Sequence, residues 1–501
     1  MRQTLRGLTF QAGLLLCLSC SDATTVVGRF GATAPSAKYD GGNRVKADAA
    51  DIPVAADAGG QQSSTVQGKH DSVGIEPGTR DSFCAGHGLA LRSTPPADAA
   101  TDCSANVARE LFSYAVCTCR DVVVSGDGFL LDSFDSRQAN YAAGQTGAAV
   151  GINGTLTQLG TDVQLLASVS VAGPSALAIT GSGTVIAGDL KLNAGVVATA
   201  AGTSVGRDLW VAGDVVAAQG AISVGRDAYQ ASGHSGLESL SVSGTAHPAT
   251  DFAAMPPPCA CGSDAKLDLP ALIAQAAAEN DNAVAGWQSD ALLSGLGDGE
   301  RALPCGRLYA NGFSLAAGAT VQMHVTGRTA VFVNGDLNVQ FPSKLLIDDF
   351  GATGELDLVI GGNLTAGSTI VLGDSARPTA LRVYVQGAIT AAGTLSLAAQ
   401  LYAPNATLMV PVSSSMDAYG AIFASQVLAS GGQRLHYDRA ILALEDECNA
   451  PSPQRCRGCA ECPADLACVA GTCTPCTGDG DCCAPAVCTN GKCQTLLSSW
   501  P

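Results

Sequence analysis

The sequence predicts an all-β fold, a right-handed parallel β-helix, on three observations. From about residue 121, runs of three to six apolar residues alternate with Gly, Asn and Asp. Turn signals recur at 19 to 27 residues, as in the pair "SVGRDLWV" and "SVGRDAYQ" and at Gly188-Asp189, Gly213-Asp214, Gly335-Asp336 and Gly362-Asn363. Aromatic residues make up only 5% of the chain. A sandwich of short antiparallel strands is the alternative, but sandwiches usually contain more aromatic residues and a cleaner alternation.

The β-helix accounts for the low charge of the chain. Between Arg382 and Arg434, the only charged residue is Asp417. In a β-helix, consecutive coils stack so that each strand bonds to those above and below, and the narrow interior takes Val, Leu, Ile and Ala. Gly, Asn and Asp fit the corners, where positive φ angles are needed.

The first 80 residues predict export and a tether. Residues 1–20 combine Arg2 and Arg6 with a short apolar core, as in a secretory signal. The segment resembles a bacterial lipoprotein signal in which Cys20 is lipidated, and plain cleavage after Ala23 is the alternative. Residues 21–80 contain few large apolar groups, so we expect a flexible tether.

The β-helix domain is expected over 81–447, with two helical additions. Val107, Leu111 and Ala115 have helical spacing, which predicts a short capping helix. A helical insertion is expected at about 264–283, with Asp268 as N-cap and Pro270 in the first turn. Its apolar face, Leu269, Leu272, Ile273 and Ala276, is expected to lie against a flank of the column.

Cysteines indicate an exported, disulfide-bonded protein. Without Cys17 and Cys20, eight lie from Cys84 to Cys448 and ten follow Cys448. We expect a cystine-rich module at 448–501, where the core is too small to fold without bridges. All are disulfide candidates: Cys84, Cys103, Cys117, Cys119, Cys259, Cys261, Cys305 and Cys448 in the body, and Cys456, Cys459, Cys462, Cys468, Cys473, Cys476, Cys482, Cys483, Cys488 and Cys493 in the module. For Cys117-Cys119 and Cys259-Cys261, structural bridges are favoured over zinc binding or redox exchange.

Several segments resemble a known family. "LYAPNATLMV", "YGAIFASQVLASG" and "LHYDRAIL", with "LFSYAVCTC" and "LPCGRLY", resemble a bacterial β-helical domain of unknown function from exported surface and pilus-associated proteins, including lipoproteins of myxobacterium-like bacteria. The resemblance covers roughly 81–447. It implies a β-helical surface domain, and it carries no catalytic residues to transfer.

A search for chemistry yields weak candidates. The six histidines form no metal-binding pair, and His436, before Tyr437 and Asp438, is interpreted as structural. Asp348-Asp349 is the best acidic pair, with Glu355 and Asp357 as near neighbours, and an exposed turn is the favoured interpretation. We therefore expect no catalytic residues, no metal and no cofactor.

The sequence favours a non-catalytic envelope or surface lipoprotein with a structural or adhesive role. It would be held at the outer membrane or cell surface by its lipid, or be secreted, and its partner would be a polysaccharide or another surface polymer. A net charge of −17 argues against a nucleic-acid partner. The alternatives are a β-helix polysaccharide lyase or hydrolase, marked by carboxylates and basic residues aligned over successive turns, and a peptide-binding or inhibitory role for the cystine-rich module.

Overall fold

The protein is described from a computed structural model. It covers residues 73–76, 78–93, 111–138, 141–218, 220–251, 253–262, 266–287 and 293–443 of the body, and 462, 466–469, 472–478, 481–482, 486–489 and 492–495 of the module. The signal at 1–20, the lipidation site Cys20, residues 21–72 of the tether, and Cys103, Cys448, Cys456, Cys459 and Cys483 lie outside the described residues. Of the expected capping helix, Leu111 is helical, 112–115 form bends and the earlier residues are outside this range.

The body is a parallel β-helix of about 12 turns, so the predicted fold class is confirmed. Each turn passes through three parallel sheets in the order 1, 2, 3. Sheet 1, from one end of the column to the other, contains β21 (Gly299–Leu303), β24 (Thr320–Val325), β27 (Lys344–Asp349), β30 (Thr369–Leu372), the first parts of β33 (Thr394–Val410) and β34 (Ser415–Ala429), β35 (Gly432–Asp438), β5 (Leu130–Phe134), β8 (Gln164–Leu165), β11 (Val185–Ile186), β14 (Thr203–Val205), β17 (Ile222–Val224) and β19 (Ser241–Val242).

The other two sheets follow the same order along the column. Sheet 2 contains β22 (Gly306–Ala310), β25 (Arg328–Val333), β28 (Glu355–Ile360), β31 (Leu381–Val385), the middle parts of β33 and β34, β3 (Val116–Thr118), β6 (Ala148–Ile152), β9 (Ala167–Val171), β12 (Leu190–Leu192), β15 (Leu209–Val211), β18 (Ala228–Ala231) and β20 (Ala246–Thr250). Sheet 3 contains β23 (Phe313–Ser314), β26 (Leu337–Val339), β29 (Leu364–Ala366), β32 (Ile389–Ala391), the last parts of β33 and β34, β4 (Val122–Val124), β7 (Leu156–Gln158), β10 (Leu177–Ile179), β13 (Val196–Ala198) and β16 (Val215–Ala217).

The remaining elements lie around the column or in the module. They are the antiparallel pair β1 (Val73–Ile75) and β2 (Leu91–Ser93), helices α1 (Arg80–Ala85) and α2 (Leu269–Ala278), short 3-10 helices at Leu237–Ser239, Pro378–Ala380 and Arg439–Ala443, and the antiparallel pairs β36 (Ala467–Val469) with β37 (Thr472–Thr474) and β38 (Ala486–Thr489) with β39 (Lys492–Thr495).

The turns do not stack in chain order, contrary to the expectation of consecutive coils. The chain enters the column in its middle, at β3, and proceeds to one end at β20. It then restarts at the other end, at β21, and returns to the middle at β35. β34 pairs with β3 and β4, and β35 pairs with β5, so strands about 300 residues apart are neighbours. We call this junction the seam.

A composite turn closes the seam. Sheet 1 of that turn is β35, whereas its sheets 2 and 3 are β3 and β4. The chain thus leaves the column at Asp438 beside the point where it enters at Val116, and the Tyr437 hydroxyl donates a hydrogen bond to the Phe112 carbonyl at 3.1 Å. The two halves share one continuous apolar core.

Residues 251–298, which we call the return segment, connect the two ends of the column along its side. The side-chain amide of Asn193 exchanges two hydrogen bonds with the backbone of Met255, at 2.6 and 2.7 Å. Asn153 does the same with Cys259, at 2.8 and 2.9 Å. The disulfides Cys117–Cys259 and Cys119–Cys261 fix the segment there. These side-chain amides replace the strand partners that an isolated extended segment lacks.

Helix α2 is part of the return segment and matches the expected helical insertion. The Asp268 carboxylate accepts a hydrogen bond from the Ala271 N–H at 3.0 Å, and Pro270 occupies the first turn. The buried face of the helix consists of the predicted residues Leu269, Leu272, Ile273 and Ala276. It packs next to β1, β22 and β25 and so covers one end of sheet 2.

Residues 73–93 cover the neighbouring outer surface of sheet 2. The disulfide Cys84–Cys305 ties them to the column. Under this cover, Arg328 pairs with Glu76 at 2.7 Å, and Arg382 pairs with Asp357 at 2.8 Å. The Ala90 N–H also donates to Asp357 at 2.9 Å. The composition of the sequence predicts a tether up to residue 80. The structure corrects this boundary, because residues 73–76 and 78–80 contact the column.

Corner residues join successive turns through their side chains. The carboxylate of Asp336 accepts the Asn363 N–H at 2.7 Å, and the Asn363 amide oxygen accepts the Ala388 N–H at 2.8 Å. Asp189 accepts the Asp208 N–H in the same way. Glycine is required where corners touch: a Cβ at Gly160 would overlap the carbonyl of Gly126 in the next turn. The Gly-Asp signals therefore mark corners, as predicted.

The buried pair Arg382–Asp357 provides a test of the cover. Arg382→Leu leaves the carboxylate of Asp357, which is 0% exposed, without its cation, and we expect a loss of about 3–5 kcal/mol in the free energy of unfolding. The double variant Arg382→Leu with Asp357→Leu removes both charges and should lose less. Guanidinium unfolding monitored by circular dichroism measures both. An equal loss in the single and double variants would contradict this role of the pair.

Candidate functional site

The acidic pair found in the sequence is exposed, but it forms the end of strand β27 and not the turn that was expected. The Asp348 carboxylate accepts a hydrogen bond from the Gln322 amide, and Asp349 Oδ2 lies 2.8 Å from His324 Nδ1. This hydrogen bond lowers the pKa of Asp349. Glu355 and Asp357 do not join the pair, because both contact Arg382. The four carboxylates therefore form no common site.

His436 lies at the seam, buried between two carboxylates. Its Nδ1 is 2.7 Å from Asp132 Oδ1, and its Nε2 is 3.1 Å from Asp417 Oδ1. Asp132 and Asp417 come from different halves of the column. The hydroxyl of Tyr141 donates to Asp132 at 2.7 Å. Through these contacts the cluster joins the two halves of the column.

Burial alone would lower the pKa of His436, but its hydrogen bonds to Asp132 and Asp417 outweigh burial and raise it. For Asp132, burial raises the pKa, and hydrogen bonds from His436, the Gly144 N–H and Tyr141 outweigh it, so the pKa is lowered. The contribution of His436 is thus fully present below its unfolded pKa of about 6.5 and is lost as pH rises through its folded pKa. The contribution of Asp132 is lost as pH falls through its own.

His436→Asn should therefore cost roughly 1–3 kcal/mol at pH 6 and less at pH 9, because the wild type loses its charged contact on deprotonation. Melting temperatures of both proteins at the two pH values measure the effect. His87→Asn, at an exposed histidine, is the matched control and should change neither value. A difference between wild type and His436→Asn that grew from pH 6 to pH 9 would contradict the prediction.

Charged residues align on the edge of sheet 2 in the first half of the column. Asp189, Asp208 and Asp227 occupy the same corner of three successive turns. Each carboxylate accepts a hydrogen bond from a backbone N–H at the equivalent corner of the next turn. Arg207 Nε lies 3.4 Å from Asp189 Oδ1, and Arg226 Nε lies 3.6 Å from Asp208 Oδ1. The sequence search missed this alignment, which is the feature that it assigned to the enzyme alternative. The repeated Gly-Arg-Asp, 19 residues apart, was the available signal.

Beside this row of aspartates, a cleft of about 640 Å³ separates the column from the cystine-rich module. We call it the module cleft. Its floor is the outer surface of β6, β9 and β12, including Ser168, Ser170 and Lys191. Arg137 and Arg439 line one side, and residues 474–478 and 487–488 of the module form the roof. The volume falls within the range of about 300–1,000 Å³ that is typical of ligand sites.

The module cleft is locally cationic in an acidic protein. Arg137, Lys191, Arg207 and Arg439 line it, against the carboxylates of Asp135 and Asp189. Asp135 is neutralised by Arg137, at 2.6 Å, and Asp189 by Arg207. The lining of the cleft therefore has an excess of two positive charges (four minus two), although the chain has a net charge of −17. Such a cleft concentrates anions.

Lys191 is the cation with the most unusual surroundings. Burial lowers its pKa, and its ammonium lies 5.0 Å from the centre of the Trp210 ring. Among the described residues, no hydrogen bond from its ammonium is formed. Burial likewise raises the pKa of Asp189, and the charge of Arg207 opposes that rise.

An aromatic stack continues from Lys191 towards the end of the column. The rings of Trp210 and Tyr229 lie 5.4 Å apart and those of Tyr229 and His247 4.6 Å apart, both nearly parallel. The rings cover each other's faces and present their edges outwards. They therefore stabilise the outer surface of sheet 2.

Disulfides dominate the described part of the module. The pairs are Cys462–Cys473, Cys476–Cys488 and Cys482–Cys493, and Cys468 is also bridged. In the described ranges, Cys476, Cys482 and Cys493 are the only group of three potential metal ligands that approach one another, and all three are used in these bridges. With the three bridges of the body, this chemistry belongs to an exported protein in an oxidising compartment.

Comparison with known proteins finds a family model that matches part of the chain. Residues 268–444 match the family described as a domain of unknown function, DUF7305. The match runs from helix α2 to the end of the second half of the column, within the 81–447 of the expected resemblance. No curated protein and no solved structure matches the chain significantly. Within the described ranges, every helix is too short or too polar to cross a membrane.

Proposed function

We propose that the protein is a non-catalytic surface protein that binds an acidic polysaccharide in the module cleft. The observation that carries the proposal is the excess of cations in a ligand-sized cleft of a protein with a net charge of −17. A uronate carboxylate would face the ammonium of Lys191, and the hydroxyl groups of Ser168 and Ser170 would bond sugar hydroxyls. Asp189 offers an acceptor for the same hydroxyls.

The proposed setting is the bacterial envelope. The signal-like segment at 1–20 supports lipidation at Cys20, and the polar segment that follows suits a tether at the outer membrane or cell surface. The resemblance to surface and pilus-associated proteins of myxobacterium-like bacteria supports the same setting. In this arrangement, the column holds the cleft away from the membrane and grips a polymer through its side.

Retention on an immobilised polyuronate tests the proposal with the full chain. Lys191→Gln should weaken binding about tenfold, because it removes one cation from a partly desolvated site. Lys344→Gln, at an exposed lysine of sheet 1, is the matched control and should bind like the wild type. Binding should weaken as salt is added. Equal retention on a neutral dextran, or equal weakening in both variants, would refute an acidic ligand in this cleft.

A second function, polysaccharide lyase, is favoured by the position of Lys191 and Arg207, which both line the module cleft. A neutral lysine can remove the proton next to a uronate carboxyl group, whose charge the arginine would offset. The electron pair of the broken C–H bond then forms a double bond, the bond to the leaving sugar oxygen breaks, and that oxygen takes the proton from Lys191, which leaves an unsaturated chain end. New unsaturated ends that appear with the wild type and not with Lys191→Gln would establish this function in place of simple binding.

A further inference from the structure

Sheet 3 has an outer surface without charge along its whole length. In each strand, the first and third residues point into the core and the second points out. The outward row, connected in register from turn to turn, is Ser314, Asn338, Thr365, Thr390, Met409, Leu428, Val123, Thr157, Ala178, Val197 and Val216. The row crosses the seam without interruption. No member of it is charged or aromatic.

Exposed large apolar side chains occur along the same side of the column. Val216 and Met409 belong to the outward row, and Leu159, Phe341 and Val412 lie in the turns that directly follow strands of sheet 3. Phe341 is 84% exposed and Val412 is 81% exposed. Within the described residues, these are all of the exposed large apolar side chains except Val284. A concentration of this kind marks an interaction surface.

The other two sheets differ from sheet 3. Sheet 2 is covered in part by residues 73–93, by helix α2 and by the return segment, and its other strands face the module cleft or carry the stack of Trp210, Tyr229 and His247. The outer surface of sheet 1 carries charges at the seam, including Asp417 and Arg434, which are register neighbours. Sheet 3 is the surface on which two copies of an acidic protein can approach without bringing charged rows together.

We propose that sheet 3 is a self-association surface on which two copies pack face to face. The dimensions suffice: strands about 4.8 Å apart give a row roughly 50 Å long, and a width of about 10 Å gives about 500 Å² per copy. The total of about 1,000 Å² reaches the lower limit of specific interfaces. A two-fold axis places the same row on both sides, where small residues such as Ala178 oppose larger ones.

A flat neutral polymer is the other occupant that such a surface admits. The outward row lacks the aromatic rings on which sugars stack, whereas aliphatic and threonine side chains suit the packing of one β-sheet on another. The observations therefore favour a second copy. This interface lies on a different sheet from the module cleft, so either proposal can fail without the other.

Analytical ultracentrifugation of the full chain tests the dimer. The wild type should sediment as a dimer at roughly 100 μM, and Val197→Glu and Leu428→Glu should each weaken association at least about 100-fold, because each places a carboxylate without a cation in an apolar interface. Ser223→Glu, at an exposed outward position of sheet 1, is the matched control and should remain dimeric. Circular dichroism checks that each variant is folded.

A wild type that is monomeric at this concentration overturns the proposal, as does a dimer that survives both glutamate substitutions. Retention of a monomeric wild type on a neutral polysaccharide, lost in Val197→Glu and kept in Ser223→Glu, would also overturn it and assign the surface to the polymer.

Discussion

Parallel pairing across the seam is the constraint on which the rest of the structure depends. Because β3 and β4 pair with β34, and β5 pairs with β35, two halves that are far apart in sequence become one column. Each half alone would end there in an unpaired strand edge and an exposed core, which are costly in water. Because of this pairing, the chain must pass from one end of the column to the other between β20 and β21. The return segment makes this connection. The disulfides Cys117–Cys259 and Cys119–Cys261 secure that segment to a strand of the seam.

The path of the chain makes the three sheets chemically different. The return segment and residues 73–93 both lie on sheet 2, so its strands β25 and β31 are buried on both sides and can hold Arg328 and Arg382 against carboxylates. The rest of sheet 2 meets the module and forms a cationic cleft. The described residues leave sheet 3 uncovered, and its outward row carries no charge. One repeating backbone thus presents a cationic cleft on one side and an uncharged row of outward side chains on another.

Local features of the fold could be predicted from the sequence, because local residues cause them. Corners such as Gly188-Asp189 and the N-cap Asp268 follow from backbone geometry and side-chain hydrogen bonds within a few residues or one turn. The seam could not be predicted, because "VCT" at 116–118 and the residues that it pairs with at 422–424 have the same apolar pattern as any other turn. The module cleft could not be predicted from the sequence for a related reason. Lys191 lies among apolar residues in the sequence, and only the stacking of turns brings it next to Trp210 and Arg207.

The seam can be tested directly with a pair of introduced cysteines. Val123 and Leu428 point outward from neighbouring strands of sheet 3, about 4.8 Å apart, within the Cα separation that a disulfide bridges. Val123→Cys combined with Leu428→Cys should form a disulfide during folding, and peptide mapping by mass spectrometry should recover the linked peptides. Val123→Cys combined with Met409→Cys, two turns and roughly 10 Å apart, should not. A bridge in the second pair and none in the first would contradict the stacking of the two halves.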